Sequence, residues 1–152
     1  MKHLFITLLL FISLPAIART QQQDTIFHLE IHQVISPGFH SCNFVVAGGK
    51  LRIYQHVYNK RLHKFQPKKV YTTTISNELE NEIINTCAKL YSLEDSYIKP
   101  ILDGSSWDIT IIRNNRSKRV KIDNYEVKEV DALFSHINTA IKKGKPKLSL
   151  TK

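Results

Sequence analysis

Residues 103–144 read DGSSWDITIIRNNRSKRVKIDNYEVKEVDALFSHINTAIKKG, and their spacing decides the fold class. After the Asp103-Gly104 turn, Trp107, Ile109 and Ile111 alternate with Asp108 and Thr110, the period of a strand with one dry face. Asn114-Asn115 turns the chain, and Val120 and Ile122 alternate with Arg119 and Lys121 on the return. Val127, Val130, Phe134, Ile137 and Ile141 then recur at steps of three and four, which predicts a helix. Lys142-Lys143-Gly144 with Pro146 beyond predicts its end, with cations at the negative pole and a glycine cap.

Working backward, residues 93–103 read as a connector, and Ser76 as the N-cap of an earlier helix reaching about Leu90 or Ser92, with Glu78 and Glu80 in its first turn. Val70–Ile75 is rich in β-branched residues and predicts a strand. The basic stretch Asn59–Lys69 reads as a loop or irregular hairpin, because Pro67 cannot sit in a central strand. Leu51–Tyr58 and Asn43–Ala47 flank Gly48-Gly49 as a hairpin. Ile26–Ile35 alternates, with Phe27, Leu29 and Ile31 on one face and His28, Glu30 and His32 on the other. The expected architecture is α+β: an antiparallel sheet with two helices packed on one face, in the order strands, helix, two strands, helix.

The N-terminus carries Lys2, an apolar run from Leu4 to Leu14 and the small-x-small triplet Ala16-Ile17-Ala18. The run is shorter than the ~20 residues that span a bilayer, so residues 1–18 read as a cleaved secretory signal peptide. No cysteine stands at the cleavage point, so the exported chain is expected to be soluble, periplasmic or extracellular, and not a lipoprotein. Residues 19–25 read as a flexible leader, 26–144 as a single domain and 145–152 as a basic mobile tail. Two cysteines, Cys42 and Cys87, remain, and an oxidising compartment predicts a disulfide between them worth about 4 kcal/mol on the chain-entropy account.

The formal net charge of +9 favours contact with anionic partners without choosing one. The chain has five glycines, none arranged as a phosphate loop, and lacks Gly-x-Ser-x-Gly, His-Glu-x-x-His and Cys-x-x-Cys. His28, Glu30 and His32 share a strand face, but the two histidines stand about 13 Å apart on extended chain. They cannot both reach one ion without bending; the workable version is a two-ligand fragment joined by His56 from another strand, set against a solvated strand face whose His and Glu pair loosely, and no metal and no cofactor is assigned.

The expected binding surface is the outward sheet face, gathering His28, Glu30, His32, Arg52, Tyr54, His56, Tyr58, Asp108, Thr110, Arg119 and Lys121. Tyrosine offers large amphipathic contact area and arginine a multidentate donor, the residue types that protein recognition favours. The same residues could instead act only as cross-strand pairs that stabilise an open sheet. With Phe65 the single ring in the basic 60–69 loop, aromatic interleaving is too thin for a nucleic-acid reader. The sequence therefore points to a non-enzymatic interaction protein, of inhibitor or immunity type, for a protein or an anionic cell-envelope component. The competing class is a small hydrolytic or metal-dependent enzyme using histidines from separate strands, which requires two or more of His28, His32, His40, His56 and His63 to converge with a carboxylate in a deep pocket.

Overall fold

The computed structural model describes residues 26–35, 40–100 and 104–150. The expected signal peptide and leader lie outside the described residues. Among the described residues nine elements follow one another: β1 (Phe27–Ile35), β2 (His40–Ala47), β3 (Lys50–Asn59), β4 (Lys64–Thr74), α1 (Asn77–Leu90), β5 (Ser96–Ile98), β6 (Ser105–Arg113), β7 (Arg116–Asp123) and α2 (Lys128–Thr139). The strands form one seven-stranded sheet in the order β4-β3-β2-β1-β6-β7-β5. Every pairing is antiparallel except that of β5 with β7.

Turn chemistry fixes the registers. Gly48 and Gly49 both take positive φ (56° and 67°), and Ala47 pairs with Lys50 across them. Asn114 and Asn115 do the same (47° and 64°) between Arg113 and Arg116. Both are the type I′ geometry whose twist matches that of antiparallel strands, and Asn is the residue that tolerates it best after Gly. A one-residue slip would carry every apolar side chain to the wrong face. None does: Leu29, Ile31, Phe44, Val46, Leu51, Ile53, Trp107, Ile109, Ile111, Val120 and Ile122 are all buried in one phase. They share a single core cluster with Ile83, Cys87 and Leu90 of α1 and Val130, Leu133, Phe134 and Ile137 of α2. The Trp107 and Phe134 rings meet at 6.2 Å.

The Ser76 cap forms as its sequence implies, with its Oγ accepting from the Leu79 amide at 3.2 Å. The carboxyl of Glu78 is held below its ordinary range, chiefly by a backbone hydrogen bond and also by Ser76. Glu80 reaches back to accept from the Gly49 amide at 3.1 Å, tying the helix start to the β2–β3 turn. At the other end the Tyr91 hydroxyl donates to the Arg116 carbonyl at 3.4 Å. Helix α1 thus runs along the end of the sheet that holds both tight turns.

That placement explains one correction. Cys42 and Cys87 are free thiols, not the expected disulfide. Cys87 lies between the two anchors of α1, whereas Cys42 pairs with Gln33, next to Trp107 on the next strand and toward the far end of the sheet. A bridge needs Cα atoms within about 7 Å, and the two thiols are buried at opposite ends of the strands. Burial pushes the Cys87 thiol up to about 12, against a weaker downward pull from Arg113, and raises that of Cys42.

The basic stretch takes the second of its two expected forms, an irregular hairpin: Lys64–Lys69 is strand because β4 is an edge strand where Pro67 loses no ladder bond, and a register shift opposite Gln55 and His56 absorbs one residue. Two boundaries differ from expectation. The connector after α1 contains β5, held by Lys118, whose Nζ donates to the Leu93 carbonyl at 2.5 Å and to Asp95 at 2.6 Å. Helix α2 ends at Thr139 with Ala140 as its C-cap, before the expected glycine cap; Gly144, with φ 80°, instead serves a turn closed by the Lys145 amide on the Lys142 carbonyl. Within the stretch expected to be a mobile tail, Leu148 is 2% exposed, and its backbone exchanges two hydrogen bonds with the Asn138 side chain at 2.7 and 2.9 Å.

Candidate functional site: the polar face of the sheet

Strand β1 runs through the middle of the sheet, so its outward residues have neighbours on both sides. His32 stands between Asn43 and Asp108, with Tyr54 beyond Asn43 and Lys121 beyond Asp108. One step along, Glu30 lies between Val45 and Thr110, with Arg52 and Arg119 outermost. His56 belongs to the row of Ser41, Val34, Ser106 and Asp123. Five strands at about 4.8 Å spacing make each row about 19 Å wide. His28, Glu30, His32, Arg52, Tyr54, His56 and Asp108 are all half-buried, while Arg119 and Lys121 are exposed. Tyr58 continues the phase past the end of β2 and turns edge-on to Phe65, with ring centroids 5.4 Å apart.

Two hydrogen-bonded groups organise this surface. In the first, Asn43 bridges: its Oδ1 meets His32 Nδ1, and its Nδ2 donates to Glu30 Oε1 at 3.3 Å. A carbonyl oxygen can only accept, so His32 Nδ1 is the donor in this contact. Glu30 Oε2 lies 3.9 Å from His28 Nε2. In the second group, Arg119 grips Asp108 with both arms of its fork, Nε to Oδ1 at 2.7 Å and Nη2 to Oδ2. This hydrogen bonding holds the Asp108 carboxyl below its usual range, helped by the charges of His32 and Lys121, while the same bond raises Arg119. Lys121 pairs with Asp123 at 3.0 Å.

The arginine expected to serve as an open multidentate donor is therefore already occupied within the sheet. Arg52, Tyr54 and His56 on β3 make no ion pair and no side-chain hydrogen bond among the described residues. They leave an arginine, a phenol and an imidazole available on one strand. Asn43, which ties the two halves of β1 together, was not singled out from the sequence. Its only signal there is its phase with Val45 and Ala47, and phase alone does not reveal a bridge.

The histidines do not converge. His28 and His56 lie in rows six residues of β1 apart, about 20 Å. His40 begins β2 in the opposite phase, and His63 sits in the β3–β4 turn with φ 49°. Among the described residues, no three His, Cys, Asp or Glu side chains are grouped so as to hold a metal ion. None of the described helices is long and apolar enough to cross a membrane. No protein-family model matches the chain, and no curated protein matches it either.

Proposed function

We propose that this chain is an exported, non-enzymatic binding module that holds a protein or an anionic cell-envelope component on the polar face of its sheet, acting as an inhibitor or immunity-type partner. The observation that carries the reading is the row structure of that face. A broad, half-buried array of histidine, tyrosine and arginine is pre-ordered by the Asn43 bridge and the Arg119–Asp108 fork, while Arg52, Tyr54 and His56 keep their donors free. Both helices lie over the apolar side, supported by the single phase of strand residues in the shared core, and the other side stays open to a partner. Rigid side chains cost little entropy to immobilise on docking, so a surface ordered in advance binds more tightly than a mobile one of equal area.

The test is site-directed photo-crosslinking in native envelope extract. A crosslinking residue at Tyr54 is expected to capture one discrete partner, and Arg52→Ala with His56→Ala is expected to abolish capture without changing the melting temperature. Equal capture from Lys89, which is exposed on α1, would overturn the assignment of the face.

A further inference from the structure

The sheet has a second surface with different chemistry. Edge strand β4 is protected along its first half by Lys64, Pro67, Lys68 and the register shift, the usual devices against unwanted strand pairing. Its second half, Val70-Tyr71-Thr72-Thr73-Thr74, carries no charge, no proline and no irregularity, and Val70 is 57% exposed. The Ile75 amide donates to the Gly49 carbonyl at 3.0 Å. Counting back from that bond by the two-residue alternation of an antiparallel ladder, Tyr71 and Thr73 exchange bonds with β3, and the backbones of Val70, Thr72 and Thr74 point outward.

Beside this open edge lies a groove of about 310 Å³, floored by Leu51, Ile53, Tyr71 and Thr73 and walled by Ala140 and Ile141 just after α2. Lys142 and Lys145 line its rim, and the Lys145 Nζ stands 4.2 Å from the centre of the Tyr71 ring, with Lys69 at 5.8 Å on the same ring. None of these three lysines pairs with a carboxylate among the described residues. An exposed ladder edge, an apolar slot for one side chain and unpaired cations at its rim are the three elements of strand-addition recognition.

We propose that residues 70–74 take up an extended acidic segment of a partner protein as an eighth strand, with one aliphatic side chain in the groove and flanking carboxylates on Lys69, Lys142 and Lys145. Alternation sets the pattern: side chains two apart face the groove together, so the segment reads acidic, any, aliphatic, any, acidic. A second copy of this chain is a poor occupant, since its own residues 70–74 carry no carboxylate to meet Lys69, Lys142 and Lys145. This surface is independent of the open sheet face, and either can fail without the other.

The test uses a dye-labelled peptide Thr-Glu-Thr-Val-Thr-Glu-Thr, acetylated and amidated, titrated with the full chain by fluorescence anisotropy. Saturable binding that strengthens at low salt is expected. Methylating the backbone nitrogens of the peptide that face β4 should weaken binding about tenfold or more, the loss of one or two hydrogen bonds. Thr72→Pro should do the same from the protein side, because it removes an outward N–H only. Lys142→Glu with Lys145→Glu should reverse the preference toward a peptide with lysine in place of glutamate, and these surface changes serve where the proline variant fails to fold. No binding, or equal binding of the methylated peptide, which would mean attraction by charge alone, overturns the proposal. So does concentration-dependent dimerisation in sedimentation that Thr72→Pro abolishes, because a second copy would then occupy the edge.

Discussion

At the scale of single residues, the two thiols and one carboxylate carry the sharpest expectations. Cys87 is 1% exposed with its thiol raised to about 12, and Cys42 is raised as well. Only the thiolate reacts, so alkylation in native buffer is expected to be slow at both positions and complete at both in denaturant, with the intact mass showing two reduced thiols. A non-reduced, unalkylatable pair would refute the placement of the two cysteines at opposite ends of the sheet. The linkage sign for Cys87 follows from its raised value: the unfolded chain releases this proton first, near 9.0, so stability falls as pH rises through that value. Asp108 works the other way. Its folded value lies below the ordinary 3.8, so its stabilisation is complete above that pH and is lost as pH falls through the depressed value. The stability difference between wild type and Asp108→Asn, measured by urea unfolding, should therefore be present near neutral pH and vanish in strong acid. The sequence showed which side of the sheet these groups occupy, because strand phase is local. It did not show that Arg119 would close on Asp108 or that Asn43 would bridge His32 and Glu30, since cross-strand partners depend on register, which only the assembled sheet defines.

At the scale of elements, the chain segment after α2 is the part whose role was least legible. Residues 145–152 are basic and contain Pro146, so composition alone reads as a solvated end, yet Leu148 is in the core and Asn138 clamps its backbone from both sides. An asparagine amide matches a peptide group in donor and acceptor, which makes it a one-residue stand-in for a neighbouring strand. Leu148→Ala is expected to cost about 2–4 kcal/mol by the measure of buried leucine truncations, and truncation after Gly144 should cost at least as much. A change in urea midpoint too small to resolve would show that this segment contributes nothing to the fold. Strands β6 and β7 and helix α2 were readable because each repeats its own period over eight residues or more. Strand β5 was not, because three residues cannot display a period, and its place beside β7 is held by partners distant in sequence: Lys118 on the Leu93 carbonyl, the Lys121 amide on the Asp95 carbonyl and Tyr97 against the core. The N-terminal half of β4 stayed open between loop and irregular hairpin for a related reason: proline is incompatible with a central strand, and nothing local distinguishes centre from edge.

For the whole molecule, the charge of +9 is not evenly committed. Lys118, Arg119 and Lys121 are paired with carboxylates on the β7 side, whereas Lys68, Lys69, Lys142 and Lys145 on the β4 side have no carboxylate partner among the described residues. Attraction to any polyanion is therefore expected to concentrate near β4, and its salt dependence should fall when Lys142 and Lys145 are replaced by glutamine, as measured by retention on an anionic resin. The same replacement on the opposite side, at Lys121, should change retention less. The strand order has a consequence in time. Among the described strands the first in sequence is central, flanked by β2 and by β6, and Phe27 is joined to Arg113 across most of the chain's length. As a nascent polypeptide emerges from its amino end, this seam stays open until the last third has been synthesised, so no early fragment can lock into its final shape. A chain that matures only on completion remains threadable through a narrow passage for as long as it is being made, and fragments ending before Ser105 should be captured by chaperones or degraded rather than accumulate.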